Sequence, residues 1–175
     1  MPSKIDIFRD REFGNMLCFQ GKMLTLDQLM ASVSHACENF MAENGAVGAM
    51  YHAIARDGTH YVFDAPPFPK PVAIALVKNL FAMLDIVAYA FCDEAWMVEK
   101  PAALKELKVP PRADPARIEI ITVIGEAEAE PSKSILRKIK REAGKRAWLE
   151  PPELELEELC GGQMVGLLPK KGRLQ

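Results

Sequence analysis

Asp85-Ile-Val-Ala-Tyr-Ala-Phe-Cys-Asp-Glu-Ala-Trp96 is the stretch that decides the fold. Its apolar run is rich in the β-branched and aromatic residues that fit a pleated, buried surface. It reads as a strand at the centre of a sheet, and it delivers Asp93 and Glu94 to the rim of a core. Charge placed there serves either an ion pair or a site. Adjacent strand residues point to opposite faces, so the two carboxylates join one site only across a bulge.

Working outward, Pro66, Pro67, Pro69 and Pro71 break the chain ahead of a helix whose stripe is Ala73, Leu76, Val77, Leu80, Phe81 and Leu84. Proline suits a first helical turn, where its missing N–H is no loss. Before it lies a hairpin. Tyr51 to Arg56 and Thr59 to Asp64 flank Asp57-Gly58, a two-residue turn signal. Tight pairing places Ile54 opposite Tyr61 and sends His52 and His60 to opposite faces. Earlier still, Thr25 and Gln28 form a capping box. Leu26, Leu29, Met30, Val33, Cys37, Phe40 and Met41 then recur at helical spacing as far as the Asn44-Gly45 stop. Residues 1–24 are poorly patterned, with short strands expected near residues 4–8 and 13–19.

Downstream, residues 100–114 form a proline-rich loop. Arg117 to Ala127 is a strand with Ile118, Ile120 and Ile124 on one face and Arg117, Glu119, Ile121 and Val123 on the other. Residues 132–149 fit a helix through Ile135, Leu136, Ile139 and Ala143, and equally a strand with an arginine-bearing face. Gly161 to Leu168 reads as a short final strand, and Pro169 to Gln175 as a mobile basic tail. The domain is expected to run from residue 25 to 168.

Composition narrows the class. The chain has 175 residues, a net charge of −2 and hydrophobic residues at 49%. A domain of this size buries about 70% of its unfolded surface and needs no staples. Near-neutral charge argues against a generic nucleic-acid or membrane binder. No signal segment and no unbroken membrane span is visible, which makes a cytoplasmic protein the expectation. Cys18, Cys37, Cys92 and Cys160 are scattered without a CxxC pair, so reduced, buried thiols are expected. Cys37 and Cys92 fall on core faces, which does not suit an activated thiolate.

Three pieces resemble a family of uncharacterised bacterial proteins, some from phage-like contexts. They are Glu94-Ala95-Trp96-Met97, the Asp114-Pro115-Ala-Arg117-Ile-Glu119 strand entry, and Gly162-Gln-Met-Val-Gly166-Leu-Leu-Pro169. The resemblance runs from the first helix to Pro169, brings no established activity, and implies a strand for residues 133–149.

Two constellations can carry chemistry. Asp93, Glu94 and Glu119, joined by His60, offer oxygen and imidazole ligands for a divalent cation and for metal-assisted hydrolysis. The competing reading pairs these carboxylates with Arg117, Arg112 or a lysine of residues 133–146. The basic segment places Arg137, Lys140 and Arg141 where they could meet a phosphate backbone. Interleaved aromatics are absent there, and the acidic residues 150–158 follow directly, so a self-neutralised surface is favoured. Phosphate-loop spacing, a GxSxG elbow and an HExxH helix are all missing, and no cofactor is expected.

The resulting expectation is an α+β fold, a mainly antiparallel sheet of about five strands with two helices packed on one face. Apolar residues on both faces of the strands point to a homo-oligomer, taken as a dimer, that covers the other face. A non-enzymatic binding or assembly module is the leading function. A metal-dependent hydrolase and a nucleic-acid binder are the alternatives.

Overall fold

The computed structural model describes residues 6–10, 13–98, 113, 115–128, 130–152 and 165–169. They comprise β1 (Asp6–Asp10), β2 (Gly14–Gln20), α1 (Leu26–Asn44), β3 (Met50–Ala55) and β4 (Thr59–Asp64). After these come α2 (Lys70–Met83), β5 (Ile86–Val98), β6 (Arg117–Ala127), β7 (Glu130–Lys140) and β8 (Trp148–Leu149). The fold is α+β, with one antiparallel sheet of eight strands in the order β1-β2-β4-β3-β5-β6-β7-β8. The expectation of about five strands falls short. The poorly patterned N-terminal segment supplies β1 and β2. The ambiguous segment 132–149 gives β7, a turn at Gly144 and the two-residue β8. Val165 to Pro169 contain no strand. The rest of the expected final strand, the tail from residue 170 and nearly all of the 100–114 loop lie outside the described residues.

α1 forms as its sequence dictates. The Gln28 N–H donates to Thr25 Oγ1 at 3.2 Å, and the Thr25 N–H donates back to Gln28 Oε1 at 3.1 Å. Gly45 closes the helix at φ 72°, its N–H donating to the Met41 carbonyl. β5 is central, pairing with β3 on one side and β6 on the other.

The two helices lie on opposite faces of the sheet, not on one. α1 packs through Leu29, Met30, Val33 and Cys37 against Ile54, Ala90, Cys92, Ile121 and Val123. α2 packs through Val77 and Phe81 against Tyr51, Ala53, Phe63, Tyr89 and Phe91, which point the other way along the same strands. The reason is topological. α1 joins β2 to β3 and skips β4; α2 joins β4 to β5 and skips β3. Each helix thus connects two parallel strands, both connections step the same way across the sheet, and the two strand pairs run in opposite directions. Crossovers between parallel strands are right-handed almost without exception. Two right-handed crossovers arranged in this way must use opposite faces.

The hairpin differs from expectation by one residue. Ile54 stands opposite His60 rather than Tyr61. The loop holds Arg56, Asp57 and Gly58. Gly58 is at φ 83° and its N–H donates to the Ala55 carbonyl, while Asp57 Oδ1 accepts from the Thr59 N–H at 2.9 Å. This is the three-residue hairpin loop that ends in a left-handed glycine. A one-residue slip moves side chains to the other face, and here it brings His52 and His60 to the same one.

Candidate functional site

A cleft of about 220 Å³ opens between the N-terminal end of α2 and the sheet. Tyr51 and Phe91 form its floor, Ile74 and Phe68 its walls, and Asp93 and Lys70 its charged groups. Tyr51 and Phe91 belong to an aromatic core, with ring centroids 4.7 Å apart and Phe63 stacked on Tyr51 at 5.2 Å. Phe68 stands at the mouth, 43% exposed. Burial holds the Asp93 carboxyl above the usual carboxylate range, opposed by the Glu94 backbone N–H and Lys70 and helped by the Glu94 charge. Burial, helped by Asp93, raises the Tyr51 phenol. The site is therefore an apolar, aromatic recess with one half-buried acid.

Glu94 and Glu119 lie on the opposite face. Glu94 pairs with Ile121 and Trp96 with Glu119 in the β5–β6 register, so the two carboxylates share the α1 side. Both meet Arg141: Nε donates to Glu119 Oε2, and Nη2 lies 3.6 Å from Glu94 Oε2. Glu94 Oε1 also accepts the Val47 N–H at 2.7 Å. These are structural partners, with an arginine of the basic segment in the role expected of its lysines.

His60 is remote from them. It is level with Ile54 and Ala88 across the strands, and the six residues from Ala88 to Glu94 span about 20 Å at strand rise. Asp93, Glu94, Glu119 and His60 are thus not brought together. Among the described residues no group of three or more His, Cys, Asp or Glu side chains converges as metal ligands would.

His60 instead belongs to a pair. Its Nε2 is 2.9 Å from the Lys22 carbonyl, which only accepts, so Nε2 carries a proton. In the neutral pair its Nδ1 then accepts from His52 Nε2, 3.1 Å away. Phe19 stacks on the His60 ring at 5.1 Å. Glycine at position 21 leaves room for the ring, since a Cβ there would fall 2.6 Å from His60 Nε2 and push it aside. Burial and the neighbouring His60 lower His52 to a pKa of about 4.

The basic segment is a set of helix staples. Lys133 Nζ donates to Asp27 Oδ1 at 2.6 Å. The Arg137 side chain is 7% exposed; it donates to the carbonyls of Ser34, Leu149 and Glu150 and meets Glu38 at 3.4 Å. Arg141 Nη1 donates to the Gly45 carbonyl at 2.7 Å. The spacing explains the pattern. Four strand residues advance about 13 Å, and nine helical residues advance about 13.5 Å. Residues 133, 137 and 141 therefore keep step with the start, middle and end of α1. Asp27 in the first turn and Arg141 at the last carbonyls also complement the helix dipole. Lys140 faces outward and pairs with Glu150 at 3.2 Å.

A wider hollow of about 650 Å³ lies at the end of the sheet, lined by Trp96, Arg117, Glu119, Lys140 and Arg141 among others. Arg117 covers the Trp96 ring at 4.8 Å, and the other charged groups are paired as described. Tyr51, Phe91 and Lys70 were not singled out in the sequence. They come together only through the α2 crossover, which leaves no local motif.

No family model, curated protein or solved structure matches this chain, so the bacterial resemblance gains no support beyond its own residues. Among the described residues no helix is long and apolar enough to cross a membrane.

Proposed function

We propose that the protein is a binding module whose cleft receives a compact apolar group carrying a positive charge. The observation that carries this reading is the half-buried Asp93 in an aromatic recess. Half-burial disfavours the charged carboxylate, and a cation placed against it relieves that cost. Aromatic faces beside it add attraction for the same charge. A volume of 220 Å³ equals the liquid share of about seven waters, room for one ring with an amine. Lys70, exposed at the same mouth, is the side chain that an incoming ammonium displaces.

Benzylamine and benzyl alcohol are the probes, followed by NMR shifts of the Phe91 and Asp93 amides. Near neutral pH the amine is expected to bind severalfold more tightly than the alcohol. Asp93→Asn removes the preference and Lys70→Met increases it. Equal binding of both probes by the wild type discards the reading.

Self-association is a second reading, favoured by the position of β1 at the edge of the sheet formed by the described residues. Ile7 is 68% exposed and lies opposite Leu17, itself 37% exposed. Edge strands with exposed apolar side chains pair readily. Light scattering at micromolar concentration is expected to give a dimer that Ile7→Lys dissociates. A wild-type monomer rejects it.

A further inference from the structure

The cleft beside α2 is lined by two charges of opposite sign, and a simple amine answers only one of them. Asp93 follows Phe91 by two residues on β5, so both side chains face α2, roughly 7 Å apart along the strand. The acid belongs to the sheet side of the recess. Lys70 is the first residue of α2, one turn ahead of Ile74 on the helix face that brings Val77 and Phe81 to the rings. It lines the cleft yet is exposed, which puts its charged end at the mouth. The start of α2 adds positive potential at the same place. Pro71 has no N–H, and the Val72 and Ala73 N–H groups both turn back to the Pro69 carbonyl, at 2.9 and 3.0 Å. Among the described residues no side chain caps this helix, and its first turn holds no acid. The positive end of the helix dipole is left uncompensated beside Lys70. An aromatic recess with an acid in its wall and a cation at its rim is complementary to a ring, an ammonium and an adjacent carboxylate.

We propose that the cleft binds a free α-amino acid with an aromatic side chain, a proposal that rests on the cation-binding reading of the same site. The ring enters over Tyr51 and Phe91, and the α-ammonium meets Asp93. The α-carboxylate stays at the mouth, between Lys70 and the start of α2. A cavity of 220 Å³ then has to hold only the ring and the ammonium, because the carboxylate remains in water. Lys70 changes its part with the ligand. It competes with a simple amine for Asp93, whereas it pairs with the carboxylate of an amino acid. Only a free amino acid carries both charges on one α-carbon. The N-terminus of a polypeptide lacks the carboxylate and its C-terminus lacks the ammonium, so each answers half of the cleft.

Phenylalanine, phenethylamine, N-acetylphenylalanine and phenylethyl alcohol share one ring and separate the charges. Their binding to the full chain near neutral pH is followed by NMR shifts of the Phe91 and Asp93 amides. Phenylalanine is expected to bind about fivefold more tightly than phenethylamine, since the added contact is an exposed ion pair at a helix end. N-acetylphenylalanine, an anion facing Asp93, binds most weakly. Lys70→Met is the deciding variant, because it moves two ligands in opposite directions: phenethylamine gains and phenylalanine loses. Lys70→Arg keeps the preference for phenylalanine, and Asp93→Asn weakens both ligands. Phenylalanine no tighter than phenethylamine overturns the amino-acid proposal and leaves the cation-binding cleft standing. A gain for both ligands in Lys70→Met does the same, since Lys70 is then a competitor only. N-acetylphenylalanine bound as tightly as phenylalanine overturns the proposal in favour of a polypeptide C-terminus. Phenethylamine no tighter than phenylethyl alcohol removes the cation-binding reading itself, and the proposal with it.

Discussion

The two faces of this sheet hold their helices by different means. On one face, α1 lies on an aliphatic layer and is fixed along its length by Lys133, Arg137 and Arg141. Gly125 lets the helix approach closely, since a Cβ there would meet Met30 Sδ at 2.6 Å and Leu26 at 2.9 Å. On the other face, α2 rests through Val77 and Phe81 on the rings of Tyr51, Phe63, Tyr89 and Phe91. The polar groups of that face do other work. Tyr89 OH donates to Glu126 Oε2 at 2.7 Å, and the same oxygen accepts the Gly166 and Leu167 N–H groups. This fixes residues 165–169, with Leu167 fully buried. The difference is one of freedom. Lys133, Arg137 and Arg141 hold α1 from its first turn to its last carbonyls, whereas the face of large rings capped by a proline-started helix leaves the cleft.

The sharpest way to break the contrast is Arg137→Met. It removes donors from three carbonyls and the buried cation from Glu38, and is expected to destabilise by about 3 kcal/mol. Urea unfolding measures it, and a loss under 1 kcal/mol would show that the staple is decorative.

Acid tests the same face through His52. Its folded pKa of about 4 lies below the ordinary 6.5. Between those values the unfolded chain binds more protons than the folded one. Stability from this group is therefore complete above pH 6.5, falls as pH drops through the window, and is gone below about 4. The loss approaches roughly 3 kcal/mol. His52→Gln should flatten the profile between pH 6.5 and 4; an unchanged slope removes His52 as the cause.

Gly125→Ala comes next. Part of the clash is with the mobile end of Met30, so about 1–2 kcal/mol is expected. Met30→Ala in the same chain should restore some of it, and no rescue would place the strain elsewhere.

On the aromatic face, Tyr89→Phe keeps the ring and deletes one donor to Glu126. The expected effect is smallest, about 1 kcal/mol. Its signature is faster amide exchange at Gly166 and Leu167 with little change at α1. Equal acceleration at α1 would mean that the two faces are not independent.

Much of this contrast was legible residue by residue. Thr25, Gln28 and Gly45 bracket α1 because capping chemistry is local. Ile86 to Cys92 announces a central strand because it is apolar at every position. The carboxylate pair could be split by strand alternation alone, and Asp93 and Glu94 do face opposite ways. The site was less legible. Lys70 and Asp93 are far apart in sequence and share a cleft only after α2 crosses. The basic run of residues 133–146 looked like a solvated patch because its matching acceptors lie about a hundred residues earlier.

The sequence by itself determined which segments are helix, hairpin and central strand, since those depend on caps, turn residues and periodicity within a few residues. Tertiary structure alone decided the rest. The crossover hand put the helices on opposite faces. A three-residue turn in place of a two-residue one brought His52 against His60. Packing α1 on β5 placed Cys37 and Cys92 in one core cluster. In each case the outcome depends on distances between segments far apart in the chain, and local side-chain preferences carry no record of those distances.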